Sequence, residues 1–396
     1  MIVLRSLAVA ISISASAIVV IIFGALGITS NPLLTAVVLA APLAFLVATS
    51  PRVKLVPADF VFAAFVGLAM VSIAVNGMTA SGKAFVLFLL SLAAYPAFRG
   101  IRREFDLVTF VATTGAVVAI GTIATALAIG PQDVLSHPAV FGFEEAAIYF
   151  SISFGLLVLA FVSSGTSAVA LFTLAIPCIV YAAAMVRHPI IALLAGLASM
   201  LSVPGRRVWA VAAIATIVVA YALGSLIHPE KSQRLIRYAV SSISTGASPE
   251  KLKLDPQASV SPHAPACGAI NWRNSIALRM VLTREAIEMI PHVGPVGSGL
   301  NSFATASCMK MYPHNIFLQA AVELGATATV LLVVLLMLAL RAAFLAGDSF
   351  VLAGLVFACV EAIFSGALTG AILPFAFIGW AAGLPGRAAG AARNTI

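Results

Sequence analysis

Residues 7–28, LAVAISISASAIVVIIFGALGI, decide the class of this chain. They carry no charge, and their length suits the roughly 20 residues of helix that cross a bilayer core. Arg5 precedes this run and many similar runs follow it. We therefore expect a retained first transmembrane helix rather than a cleaved signal peptide.

The composition of all 396 residues supports the same class. Hydrophobic residues make up 62% and charged residues 9%, and the mean hydropathy is +1.11. Soluble domains carry about 25% charged residues, so soluble enzymes, disordered proteins and nucleic-acid-binding proteins are excluded. The net charge of +8 is interpreted as membrane orientation, because Lys and Arg collect on the cytoplasmic side.

Apolar runs of nearly spanning length predict an all-α polytopic membrane protein with about twelve transmembrane helices. The split between the last two is the weakest, since Pro374 is compatible with one kinked helix. The predicted segments are residues 7–28, 33–49, 57–75, 83–98, 106–129, 145–163, 167–186, 189–204, 207–227, 315–340, 349–370 and 372–385.

The basic residues predict the orientation of these helices. If the N-terminus is cytoplasmic, the inside segments hold eleven Lys and Arg, and the short outside loops hold only Lys83 and Arg187. The other nine lie in residues 228–313, and long loops cross largely regardless of charge. We predict one membrane domain: helices one to nine in residues 1–227, a large periplasmic loop at 228–313 between helices nine and ten, and helices ten to twelve in residues 314–396.

The long loop contains segments of different composition and predicted structure. Residues 241–265 are rich in Ser, Pro and Ala and are predicted to be irregular. Residues 276–290 show helical periodicity, with apolar side chains at 276, 280, 287 and 290, which predicts an amphipathic helix at the membrane surface. Cys267 and Cys308 also lie in the loop. In an extracytoplasmic loop we expect them to form a disulfide bond.

Three arginines depart from the apolar pattern, and each has two interpretations. Arg187 lies in a very short outside connection, where it either reaches toward lipid phosphates or serves function. Arg279 and Arg284 lie on the surface helix. They either bind phosphate through their rigid guanidinium groups or form a solvated face that pairs with Glu285 and Glu288.

Residues 311–319, MYPHNIFLQ, form the sharpest local motif. Pro313 suits the first position of a helix, which would place His314 at the helix mouth on the outer side. The positive end of the helix dipole favours a neutral imidazole there and attracts phosphate. A lone histidine at this position is also common as a capping or packing residue.

Below this histidine, acidic and amide side chains recur along the predicted helix. Asn315, Gln319 and Glu323 are spaced by four, which predicts one polar stripe, and Glu323 would lie roughly 12 Å below Asn315. A carboxylate in the membrane needs a partner, and Arg187 is one candidate. Glu361, in the predicted eleventh helix, either bonds a neighbouring hydroxyl or lines the cavity.

These side chains together suit one kind of substrate. The sequence contains no HExxH, CxxC, DxD, P-loop or dinucleotide motif, so we expect no metal and no cofactor. Arginines would neutralise a diphosphate leaving group, and a histidine would accept a proton from an incoming hydroxyl. A single displacement on a lipid diphosphate sugar would invert the anomeric centre.

The same residues resemble the O-antigen ligase and O-antigen polymerase superfamily. His314-Asn315, nine residues and then Gly325 are similar to the pattern H-[NSQ]-x9-G-x-x-[GTY], although residue 328 is Ala. Arg279, a short helix and the run 297–303 (GSGLNSF) resemble the upstream pattern, with Thr283 where a Trp is usual. Arg187 resembles the S-R-G segment of the family with both flanking residues changed. Twelve helices with one long loop match the architecture of the family.

The resemblance implies a GT-C-like, inverting, metal-independent glycosyltransferase of the bacterial inner membrane whose active site faces the periplasm. The donor would be a glycan on undecaprenyl diphosphate. The acceptor would be lipid A–core in a ligase of lipopolysaccharide biosynthesis, which we favour, or a second lipid-linked glycan in a polysaccharide polymerase. A transporter of lipid-linked glycans is a further alternative, although no inverted repeats are visible.

The resemblance also implies a role for each site residue. His314 would be the catalytic base or would orient the acceptor, with Arg279 also in the catalytic set. Arg187 and Arg279, with Arg284 beside them, would hold the diphosphate. The remaining predicted residues would line the site: Tyr312, Asn315, Gln319 and Glu323.

Overall fold

The computed structural model describes residues 1–51, 54–77, 80–101, 105–129, 138–165, 168–227, 229–230, 233 and 275–384. In this part of the chain the structure is helical, and its one β feature is an isolated bridge between Val140 and Phe143. The helices are α1 (Ile2–Ile13), α2 (Ala15–Leu26), α3 (Pro32–Thr49), α4 (Pro57–Asn76), α5 (Gly82–Arg99), α6 (Leu107–Ala128), α7 (Ala146–Ser164), α8 (Ala168–Thr173), α9 (Ala175–Ala183), α10 (His188–Met200), α11 (Arg207–Ser225), α12 (Ser275–Met289), α13 (Ser302–Ala306), α14 (Ile316–Glu323), α15 (Ala326–Ala346), α16 (Ser349–Phe364) and α17 (Ile372–Gly383).

Seven of the described helices are long and apolar enough to span a membrane. They are α3, α4, α5, α6, α7, α11 and α15. The pair α1 and α2, bent by 78° where the chain turns at Ser14, adds an eighth if the pair is one span. Four shorter apolar helices, at Leu171–Ala183, α10, α16 and α17, correspond to other predicted runs. The all-α multi-pass membrane class is therefore confirmed, whereas the count of twelve spans stays a prediction.

An ion pair joins α4 and α5 at the end where α5 stops. Arg99 is only 6% exposed, and its Nε donates to Asp59 Oδ1 at 3.0 Å. Tyr95 Oη donates to the same carboxylate oxygen at 2.8 Å. A charge this deeply buried needs such a partner. Arg99, counted above among the inside charges, is thus also a structural residue.

The predicted single helix over 315–340 is wrong in one respect, because it is two helices. Asn315 caps α14 by accepting the backbone N–H groups of Phe317 and Leu318 at 3.0 and 3.2 Å. The helix therefore begins at Ile316 and not at Pro313, since the asparagine satisfies the first free amides. The chain then breaks at Gly325, whose φ of +90° ends the helical path before α15 begins.

The glycine-rich loop fits into this break. The backbone N–H groups of Ser298 and Gly299 donate to the last two carbonyls of α14 at 3.0 and 2.9 Å, and Ser72 Oγ from α4 donates to the second carbonyl at 2.8 Å. A Cβ at Gly297 would lie 2.4 Å from that carbonyl oxygen, and one at Gly325 would lie 2.2 Å from a loop carbonyl oxygen. Both glycines are required because the two backbones cross in contact.

The surface helix buries an apolar side other than the predicted one, and contact of the predicted side with the membrane stays a prediction. In α12, Met280 and Ile287 are 40% and 55% exposed, whereas Leu282 and Ala286 are fully buried. The buried pair packs with Phe303 in a small second core beneath the loop. The helix carries apolar residues on two sides, and the side that meets α14 and the cluster around Phe303 is the one buried.

The predicted disulfide is only partly visible. Cys308 takes part in a disulfide bond, while Cys178 and Cys359 are free thiols. Cys267 and residues 241–265 lie outside the described residues. The pairing of Cys267 with Cys308 therefore stays a prediction.

Candidate functional site

Three of the predicted site residues come together from separate parts of the chain. Arg187 precedes α10, Arg279 lies on α12, and His314 lies just before α14. The charge of Arg279 acts on His314, and the charge of Arg187 acts on Arg279. These residues form the cluster described below, together with His188 and Glu361.

Arg187 occupies the N-terminal boundary of α10. Its side chain is half-buried, and burial lowers the pKa of its guanidinium. The backbone two residues earlier is left-handed, with φ of +64° at Met185. This tight turn holds the arginine against the bundle, and the guanidinium remains charged because its ordinary pKa is far above neutral.

His188 and Glu361 form a buried pair beside this arginine. His188 Nε2 lies 3.1 Å from Glu361 Oε1, and the two residues are 7% and 8% exposed. The pair joins α10 to α16, which are among the most extensively packed helices of the bundle. Glu361 therefore contacts a histidine and not a neighbouring hydroxyl, which was one of its two interpretations.

Sequence reasoning missed His188 as a site residue. Its neighbour Arg187 was singled out because a charge is conspicuous in an apolar run. A neutral-looking histidine at a helix start gives no comparable signal. Its partner Glu361 lies on a helix far along the chain, so no local spacing could have paired them.

His314 has an unusual backbone. Its φ is +52°, a region that is uncommon for residues other than glycine and that often marks functional sites. Burial, Arg279 and His188 lower the pKa of the imidazole, and Glu145 raises it. The net shift is downward, so the imidazole is neutral at neutral pH and is able to accept a proton.

Glu323 does not contact Arg187, its predicted candidate partner. Its Oε2 accepts a hydrogen bond from Gln319 Nε2 at 3.0 Å, and Gln319 Oε1 accepts the N–H of Leu368 at 2.8 Å. Burial raises the pKa of this carboxyl, which precedes the α15 span, to about 7. Glu323 is therefore linked through Gln319 to the backbone at Leu368.

Tyr312 connects the segment before α14 to the glycine-rich loop. Its hydroxyl donates to Asn301 Oδ1 at 2.7 Å, and the side chain is half-buried. Asn301 itself has a left-handed φ of +69°. Tyr312 thus stiffens the segment that leads into His314, while Asn315 is used as the helix cap.

Arg284 is not brought to the cluster. Its Nε donates to Glu288 Oε1 at 2.8 Å, and both side chains are 62% exposed. Five residues of helix turn the side chain about 140° away from Arg279. The interpretation as a solvated, paired face therefore describes its geometry.

The arrangement has a clear chemical capability. Two guanidinium groups close together attract a multiply charged anion, and a neutral imidazole beside them accepts a proton. Among the described residues, no three His, Cys, Asp or Glu side chains are placed to hold a metal ion.

No protein-family model matches the chain, and no curated protein matches it.

Proposed function

We propose that this protein is a membrane glycosyltransferase of the O-antigen ligase type. It transfers a glycan from undecaprenyl diphosphate to a hydroxyl of lipid A–core on the periplasmic side of the bacterial inner membrane. The architecture that goes with this proposal is GT-C-like, with twelve spans and the 228–313 loop in the periplasm. The observation that carries it is the meeting of Arg187, Arg279 and a neutral His314 in one cluster.

The roles follow from the charges. Arg187 and Arg279 bind the diphosphate and stabilise the negative charge that grows on it as the glycosidic bond breaks. His314 accepts the proton of the attacking acceptor hydroxyl. The hydroxyl oxygen forms the new bond to the anomeric carbon, and undecaprenyl diphosphate leaves with the electron pair. Gln319 and Glu323 connect α14, which follows His314, to the backbone at Leu368.

Reconstitution of the purified protein tests the proposal. The protein is mixed with an undecaprenyl-diphosphate glycan and lipid A–core in EDTA. We expect glycosylated lipid A–core from the wild type and at least a hundredfold less from His314→Ala, the lower range for loss of a general base. His292→Ala is the matched control, because His292 is exposed and lies outside the cluster.

The other outcomes separate the alternatives. Longer lipid-linked glycan without modified core would identify a polymerase that uses a second lipid-linked glycan as acceptor. Movement of lipid-linked glycan without a covalent product, unaffected by His314→Ala, would identify a transporter.

A further inference from the structure

Glu361 has no role in the transfer as written above, and its surroundings are unusual. Its carboxylate is buried, and Oε2 has no hydrogen-bond partner. Oε1 lies 3.1 Å from His188 Nε2, but that nitrogen is not aligned for a hydrogen bond. A buried carboxylate held this loosely is expensive to maintain, which suggests that its charge, and not its bonding, is what the site uses.

The charge of Glu361 acts on the arginines that are proposed to bind the diphosphate. It attracts the guanidinium of Arg279, and its neighbour His188 directly follows Arg187 in the chain. The carboxylate therefore lies near both arginines, on a helix that packs closely against α10. Any anion bound by these arginines lies within range of the same carboxylate.

We propose that Glu361 acts through the two arginines and that its negative charge weakens their binding of the diphosphate. This inference rests on the proposed function. Two guanidinium groups in a poorly hydrated site would retain a diphosphate product, because electrostatic attraction is strong where water is scarce. A fixed carboxylate near them opposes the bound anion, so the leaving undecaprenyl diphosphate is released and the site turns over.

The test measures binding of inorganic pyrophosphate to the purified full chain. We expect Glu361→Gln to bind pyrophosphate about tenfold more tightly than the wild type, as expected for removal of one unit charge at a partly screened distance. Turnover should fall, the KM for the lipid-linked donor should fall with it, and pyrophosphate should inhibit more strongly. Glu288→Gln is the control, since Glu288 is exposed and pairs with Arg284.

A merely structural role predicts the opposite sign. Loss of packing at Glu361 would weaken pyrophosphate binding and raise KM, and either result overturns the inference. If Glu361→Gln fails to fold, Glu361→Asp replaces it. This variant keeps the charge but moves it back by one methylene, so we expect pyrophosphate to bind slightly more tightly than in the wild type. Unchanged or weaker binding of pyrophosphate would contradict the inference.

Failure of the proposed function gives a different result. In that case wild-type protein would bind no pyrophosphate, or would bind it equally well after Arg279→Gln. Binding that depends on Arg279 but does not tighten in Glu361→Gln would reject the role of Glu361 alone.

Discussion

His314 is held by one part of the chain and tuned by others. The neighbours Pro313 and Asn315 fix its backbone, because Asn315 must cap α14 directly after it. Burial, Arg279 and His188 lower the pKa of its imidazole, and Glu145 raises it. The sequence predicted the residue and its neutral form. It could not predict the left-handed backbone or the influence of His188, since both depend on how distant segments meet.

The tuning of His314 gives a pH prediction. In the proposed transfer His314 acts as a neutral imidazole, so the rate should rise with pH through a pKa below the ordinary 6.5 and be level at neutral pH. Glu145→Gln removes a negative charge that favours the protonated form, so the acidic limb of the pH–rate profile should move to lower pH. Glu144→Gln, at the adjacent exposed position, should leave the profile in place. A limb that moves upward in Glu145→Gln would contradict this assignment.

The individual helices show which structural features the apolar pattern of the sequence can predict and which it cannot. The apolar runs predicted where the long apolar helices lie, because length and hydrophobicity are local properties. The break at Gly325 was not predicted, since one glycine in an apolar run costs a helix only about 1 kcal/mol. Its cause is the crossing with Gly297, a residue of the preceding loop. Likewise, α12 has two apolar sides, and only the packing of Leu282 decides between them.

The crossing gives a stability prediction. Gly325→Ala introduces a Cβ at a φ of +90° and 2.2 Å from a loop carbonyl oxygen. We expect it to destabilise the protein by about 1–3 kcal/mol, measured as a lower melting temperature in detergent. Gly115→Ala is the control, because Gly115 lies within α6 and no atom lies within 4 Å of the added Cβ. Equal melting temperatures for the two variants would show that the two backbones do not cross in contact.

At the scale of the whole molecule, two sorts of information combine. Hydropathy established the multi-pass membrane class, which the helices confirm. The bias of Lys and Arg predicts the orientation, but Arg99 shows that a basic residue can also be fixed by an ion pair. The orientation therefore needs a direct experiment.

Cysteine labelling tests the orientation. We expect an impermeant maleimide to label Glu288→Cys in cells whose outer membrane is permeable, because α12 belongs to the predicted periplasmic loop. Arg207→Cys, at the start of α11 and also exposed, should react only after the inner membrane is opened. The native thiols Cys178 and Cys359 are free, so the parent protein supplies the background. Labelling of Arg207→Cys alone in intact inner membranes would reverse the topology.

The left-handed backbone at His314 bears on how such a site is maintained. Glycine adopts a φ of +52° without steric cost, whereas histidine does not. At this position the residue best suited to the fold is therefore different from the residue best suited to the chemistry. Replacement of His314 by glycine would relieve the backbone strain and remove the proposed proton acceptor. Such a variant would be more stable but inactive in the proposed reaction. Only selection for the reaction itself would keep the imidazole in place.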